Sequence, residues 1–150
     1  MSVTPKDFLD SAILILRYGN SEIEQRNIIS RAYYSAYHRA CELIAPEKTD
    51  ENIGMHKRYI IQLNKGVNGS IERKLGGKMK TMYARRHTAD YKLLESIEKD
   101  AARMQVLAAE ELFSVIDKAE INASAGVTKA SSGGSMPAPD RSGPKLRVVK

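Results

Sequence analysis

The chain holds 150 residues, 42% hydrophobic and 28% charged: enough apolar surface for one folded core and too little length for two. No apolar run approaches the ~20 residues that cross a bilayer, and no basic-then-apolar leader opens the chain, so a soluble protein is expected, with no membrane partner. Cys41 stands alone, which excludes an internal disulfide and a cysteine-based zinc site and fits a reducing compartment, the cytoplasm.

Taken in chain order, the elements read as helices. Thr4-Pro5-Lys6-Asp7 places a capping hydroxyl before a proline at the first helical position, with an acid in the first turn. This first helix runs to Tyr18 and stops at Gly19-Asn20. Ser21-Glu22-Ile23-Glu24 is a capping box that opens the second. Ile29, Ala32, Tyr33, Ala36, Tyr37, Ala40 and Ile44 then recur at helical spacing up to Pro46. A shorter third helix is predicted from Asn52 to Asn64, ended by Lys65-Gly66. A fourth region starts at Ser70, breaks at Gly76-Gly77 and resumes through Met79, Met82 and Tyr83 towards Arg86.

Leu94, Ile97, Ala101, Met104, Ala108, Leu112, Val115 and Ala119 form a near-heptad stripe for a long last helix. No stretch alternates in polarity as a strand requires. The predicted fold class is all-α, an up-and-down bundle of four to five helices over residues 1–123. From Ser124 onward Gly, Pro, Ser and Ala dominate. Residues 124–150 are expected to form a flexible tail ending in Lys145-Leu146-Arg147-Val148-Val149-Lys150.

The net charge of +6 is concentrated in the middle of the chain. Residues 56–86 carry nine basic residues against Glu72 alone, whereas 1–55 and 87–123 are each net acidic. Such a segment binds phosphate by counterion release if its charges share a face. The alternative is a solvated face neutralised by the acidic flanks.

Two constellations could carry chemistry. Arg31, Tyr34, Ser35 and His38 fall on one face of the second helix, with Arg31 and His38 about 10 Å apart along the axis. Arg85-Arg86-His87-Thr88-Ala89-Asp90-Tyr91 gathers two guanidiniums, an imidazole, a carboxylate and a phenol before the last helix, where Thr88-Ala89-Asp90 is expected to bend the chain. Arginine offers a planar donor fork for phosphate, and histidine moves a proton near neutral pH. Metal-independent RNA cleavage needs both functions. The plainer reading is a packing edge in the first case and, in the second, a helix junction where Asp90 pairs with an arginine and Tyr91 packs beneath. The histidines at 38, 56 and 87 have no metal-ligand spacing, so neither a metal site nor a cofactor is expected.

Ser30-Arg31-Ala32-Tyr33-Tyr34-Ser35-Ala36-Tyr37-His38-Arg39-Ala40 resembles the second-helix signature of the HEPN superfamily of small helical domains. Met55-His56-Lys57 resembles its next block, and Tyr83-Ala84-Arg85-Arg86-His87-Thr88-Ala89-Asp90-Tyr91 is similar to the Ala-Asp-Tyr segment of one branch. The resemblance implies a bundle that forms a homodimer through its long helices and often binds RNA. Many members are metal-independent ribonucleases, including effectors of toxin–antitoxin and phage-defence systems; others are silent partners, often beside a nucleotidyltransferase. On the ribonuclease reading Arg86 binds the scissile phosphate with Arg85 in support, and His38 or His87 is the general base. Asp90 then orients an arginine or His38, while Arg31, Tyr34 and Tyr91 belong to the binding cleft. The superfamily's catalytic pattern, Arg, then four to six intervening residues, then His, is absent before the last helix here. Arg31 and His38 meet that spacing, on the second helix.

Overall fold

In the computed structural model, which describes residues 2–130, the first two helices start where their caps predict. Helix α1 (Pro5–Tyr18) and helix α2 (Glu22–Leu43) each open on a reciprocal capping box. The Thr4 amide donates to Asp7 Oδ2 at 2.6 Å and the Ser21 amide to Glu24 Oε2 at 2.8 Å. Each hydroxyl accepts in return from the amide three residues on. Helix α3 (Met55–Asn64) begins later than predicted, because Asn52 and Ile53 lie in the preceding bend and Gly54 serves as its N-cap.

Helix α4 (Ile71–Tyr91) departs from expectation twice. It runs unbroken through Gly76-Gly77. A Cβ at Gly76 would stand 2.9 Å from the Asn64 side chain and 3.0 Å from its backbone nitrogen, so the glycine is a contact point with α3 rather than a break. Thr88-Ala89-Asp90 does not bend either. Arg26, almost wholly buried on α2, holds this end in helical form: its Nη1 donates to the Ala89 carbonyl at 2.8 Å, and its Nη2 reaches the Glu95 carbonyl in the following turn.

Helix α5 (Lys99–Ala130) buries Ala102, Gln105, Val106, Ala109, Leu112 and Ile116, a face turned about one residue from the predicted stripe. Of that stripe Leu112 is fully buried; Ile97, Ala101, Ala108 and Val115 pack at the core's edge, whereas Met104 and Leu94 face solvent. The displacement traces to Gln105. Its side-chain amide donates to the Met82 carbonyl at 2.9 Å and the Ile29 carbonyl at 3.4 Å, so a polar residue occupies a core position. The helix also continues from Ser124 to Ala130; the rest of the predicted tail, residues 131–150, lies outside the described residues.

The five helices form the expected all-α bundle, with α2 at its centre against α1, α4 and α5, and α3 laid on α4. Ile28, Ile29, Ala32, Tyr33, Ala36 and Ala40 of α2 are lost to solvent almost completely. Burying each of its isoleucines contributes about 1.5–3 kcal/mol. No helix among the described residues is long and apolar enough to cross a membrane.

Candidate functional site

Three helices bring six tyrosines, three histidines and one arginine into contact. From α4, Arg86 places its guanidinium over the rings of Tyr33, Tyr34 and Tyr91, with Cζ 5.6, 5.3 and 5.5 Å from their centroids. Nε donates to Asp90 Oδ2 at 2.8 Å, one turn along the same helix, and Nη2 donates to Tyr34 Oη at 3.1 Å. Ser30 Oγ donates to the same Asp90 oxygen at 3.3 Å. Arg86 is only 8% exposed. Burial alone would weaken its charge; the facing Tyr34 and the hydrogen bond to Asp90 reverse that and hold it above its ordinary value. Nη1 has no hydrogen-bond partner among the described residues.

His56 enters this cluster from α3. Its Nδ1 lies 3.0 Å from Tyr33 Oη, and its ring centroid lies 4.2 Å from that of Tyr37. Burial lowers the imidazole's affinity for a proton, and the positive charge of Arg86 and then His38 lowers it further. Burial also drives the Tyr33 phenol up, and takes Tyr37 up to about 12 with Cys41 adding to the effect. The contact at neutral pH therefore joins a protonated phenol to a neutral imidazole. Cys41, beside Tyr37 and Tyr59, is pushed up by burial and is not activated as a nucleophile.

Of the residues singled out from the sequence, Arg86, Asp90, Tyr34 and Tyr91 meet directly. The plainer expectation for the second constellation, an Asp90–arginine pair, is what α4 makes. His38 joins through its ring, stacked against Tyr34 at 6.2 Å and tilted on Phe8 of α1 at 5.6 Å; it is exposed. His87 stands on the solvent side of α4, with its ring 5.0 Å from Tyr91. Two arginines are carried elsewhere. Arg85 turns towards α5, where Nη1 donates to Gln105 Oε1 at 3.4 Å, and Arg31 lines a shallow cleft with Val3, Asp7, Phe8 and Ser11. Ser35 is fully buried and its hydroxyl donates back to the Ala32 carbonyl at 2.7 Å, so it leaves the polar stripe. Sequence reasoning missed Ser30, Tyr33 and His56 as members; the Met55-His56-Lys57 block was the available signal for the last.

The basic segment contributes a separate feature beside the cluster. Between α3 and α4 lies a groove of about 670 Å³, edged by Lys57, Lys65, Arg73 and Lys80 and floored by Ile60, Ile61, Tyr83 and Ala84. No acidic side chain lines it, and none of its four cations forms an ion pair among the described residues. Lys78, by contrast, is neutralised on the α5 side by Glu111 at 2.6 Å. Tyr83 joins groove to cluster, its ring 6.0 Å from Tyr33 and 6.3 Å from His87. Among the described residues no three His, Cys, Asp or Glu side chains are grouped to hold a metal ion. Compared with known protein families, curated proteins and solved structures, the chain matches none.

Proposed function

We propose that this chain is a cytoplasmic, RNA-directed protein of the HEPN type that holds an RNA backbone along the α3–α4 groove. One observation carries the reading: Lys57, Lys65, Arg73 and Lys80 share a groove without a single neutralising carboxylate. Four cations around one groove with no neutralising carboxylate attract anions by counterion release, and a polyphosphate chain answers all four at once. The resemblance of residues 30–40 and 83–91 to HEPN blocks makes RNA the polyanion of choice. Arg86 braces the wall of this site. Two of its donors are already committed to Asp90 and Tyr34, and it is nearly buried, so within one subunit it supports the surface rather than gripping a phosphate. The protein then acts as a catalytically silent RNA-binding subunit, pairing with a second copy or docking on a partner such as a nucleotidyltransferase or a defence-complex enzyme.

The double variant Lys57→Glu/Lys80→Glu tests this by titration of a labelled RNA at several salt concentrations. Removing two phosphate contacts should reduce the slope of log K against log salt by about 1.4 and weaken binding about tenfold or more at low salt. Unchanged affinity and slope would overturn the groove as the binding site.

A second reading, a metal-independent endoribonuclease of a toxin–antitoxin or phage-defence system, draws on the exposed His38. Its ring stacks on Tyr34, the same phenol that accepts from Arg86 Nη2. His38 would take the proton of a ribose 2′-hydroxyl, the 2′-oxygen would attack phosphorus, and the bond to the 5′-oxygen would break, that oxygen taking a proton from water to leave as a hydroxyl and the phosphate closing as a 2′,3′-cyclic diester. The remaining Arg86 donor would meet the charge on the phosphorane. RNA cut in the presence of EDTA by wild type and not by His38→Ala decides for this reading; RNA bound but left intact decides for the first.

A further inference from the structure

Three rings succeed one another along α4 in a way that RNA backbone binding alone does not use. We infer that Tyr83, His87 and Tyr91 form a base-stacking row that makes the surface selective for unpaired nucleotides. This rests on the RNA reading above and adds the form of RNA recognised. The three residues are spaced by four, so the row advances about 6 Å per ring and about 12 Å in all. Neighbouring centroids are 6.3 and 5.0 Å apart with planes inclined by 40° and 44°. Both separations are less than twice the ~3.4 Å base rise, so no base inserts between the rings. Bases instead lie over the solvent side of the row.

The row begins inside the basic groove, because Tyr83 belongs to the groove's floor, and it ends at Tyr91, which is 63% exposed. Neither the His87 nor the Tyr91 side chain makes a hydrogen bond to another described residue, so their rings are not held outward by a structural polar contact. Arg86 lies over one face of Tyr91 and steadies it without covering it. A backbone held by Lys57 and Lys80 is thus carried directly onto aromatic faces. Cations tracking the backbone beside rings that take successive bases is the arrangement that binds single strands without reading their sequence. A duplex gains nothing from such a row, since its bases are already stacked on each other and their faces are closed.

The experiment compares an unstructured fluorescent 20-nucleotide RNA with the same strand annealed to its complement, at one fixed salt concentration. Wild type should prefer the single strand. Tyr91→Ala and His87→Ala should each lose about tenfold in single-strand affinity while changing duplex affinity little, and Tyr91→Phe should keep wild-type affinity. Equal wild-type affinity for both forms, or an unchanged Tyr91→Ala, overturns the stacking row while leaving the groove intact. Failure to bind either RNA overturns the RNA reading itself and the row with it. Unfolding curves of each variant separate lost stacking from lost structure, and His87, being exposed, provides the variant least able to disturb the fold.

Discussion

Arg86 and Asp90 are one helical turn apart on α4 and share an ion pair of 2.8 Å that is roofed by three tyrosine rings. The arginine side chain is 10% exposed and the aspartate 26%, so the pair is neither a surface bridge nor a sealed one. Breaking a fully buried pair by removing one partner costs about 3–5 kcal/mol. Asp90 retains some water, and Tyr34 continues to accept from Nη2, so Asp90→Ala should cost about 2 kcal/mol. A double Arg86→Met/Asp90→Leu variant should recover most of that loss, because it removes the stranded cation. Chemical unfolding of both variants measures it; a double variant no better than the single one would show that the guanidinium's own contacts, and not its charge balance, hold this corner.

Arg26 performs the complementary task at the end of α4. Its guanidinium sits among the carbonyls of Thr88, Ala89 and Lys92 and is anchored by Glu22 at 2.7 Å. The last carbonyls of a helix lack the amides of a following turn; Thr88 O and Lys92 O still accept from the Lys92 and Glu95 amides, and Arg26 supplies the donor to Ala89 O. Arg26→Ala should lower the unfolding free energy by about 2–4 kcal/mol, through charged hydrogen bonds lost and carbonyls left buried. Arg26→Lys should restore only part, as an ammonium cannot span three acceptors with a planar fork. A shift in denaturant midpoint at constant slope is the expected signature.

What could be seen in the sequence was local. The capping boxes at Thr4 and Ser21 close hydrogen bonds across three residues, so their partners are adjacent in the chain and the helix starts are readable. Asp90 could be paired with an arginine on spacing alone for the same reason. Tyr34, which completes that pair, lies 52 residues away from Arg86, and the His56 that meets Tyr33 is 23 residues on. Such meetings depend on how α2, α3 and α4 cross, which no local pattern contains. Gln105 misleads in the opposite sense: its polarity sets it outside the hydrophobic stripe, yet two carbonyls from α2 and α4 make it a core residue.

His56 gives the fold a dependence on acidity whose sign follows from its surroundings. The folded protein holds this imidazole below its ordinary value of 6.5, first through burial and then through the charges of Arg86 and His38. The unfolded chain therefore binds the proton more readily, and stability falls as pH drops below 6.5, levelling off beneath the folded value. Above 6.5 the contribution of the neutral ring is complete. One proton can tilt stability by at most about 1.4 kcal/mol per pH unit. Thermal melts from pH 7.5 to 5.5 should decline for wild type and be flatter for His56→Gln. Parallel profiles would assign the dependence to other groups.

Gly76 and Gly77 are neighbours in one helix and should respond oppositely to the same substitution. A methyl group at Gly77 meets nothing within 4 Å, so Gly77→Ala keeps every contact and removes the conformational freedom that glycine loses on folding. It should stabilise the protein by about 0.5–1 kcal/mol, the ordinary helix preference of alanine over glycine. At Gly76 the same methyl group would come within 3.0 Å of the Asn64 backbone nitrogen, which cannot rotate aside as a side chain can. Gly76→Ala must push α3 and α4 apart and should destabilise by about 1–3 kcal/mol, the usual range for overpacking, despite alanine's better propensity. Because α3 and α4 together form the basic groove, the proposed RNA binding should weaken in Gly76→Ala and hold in Gly77→Ala. If both variants proved more stable than wild type, the close approach of α4 to Asn64 would be wrong, and the groove built on that crossing would have to be redrawn.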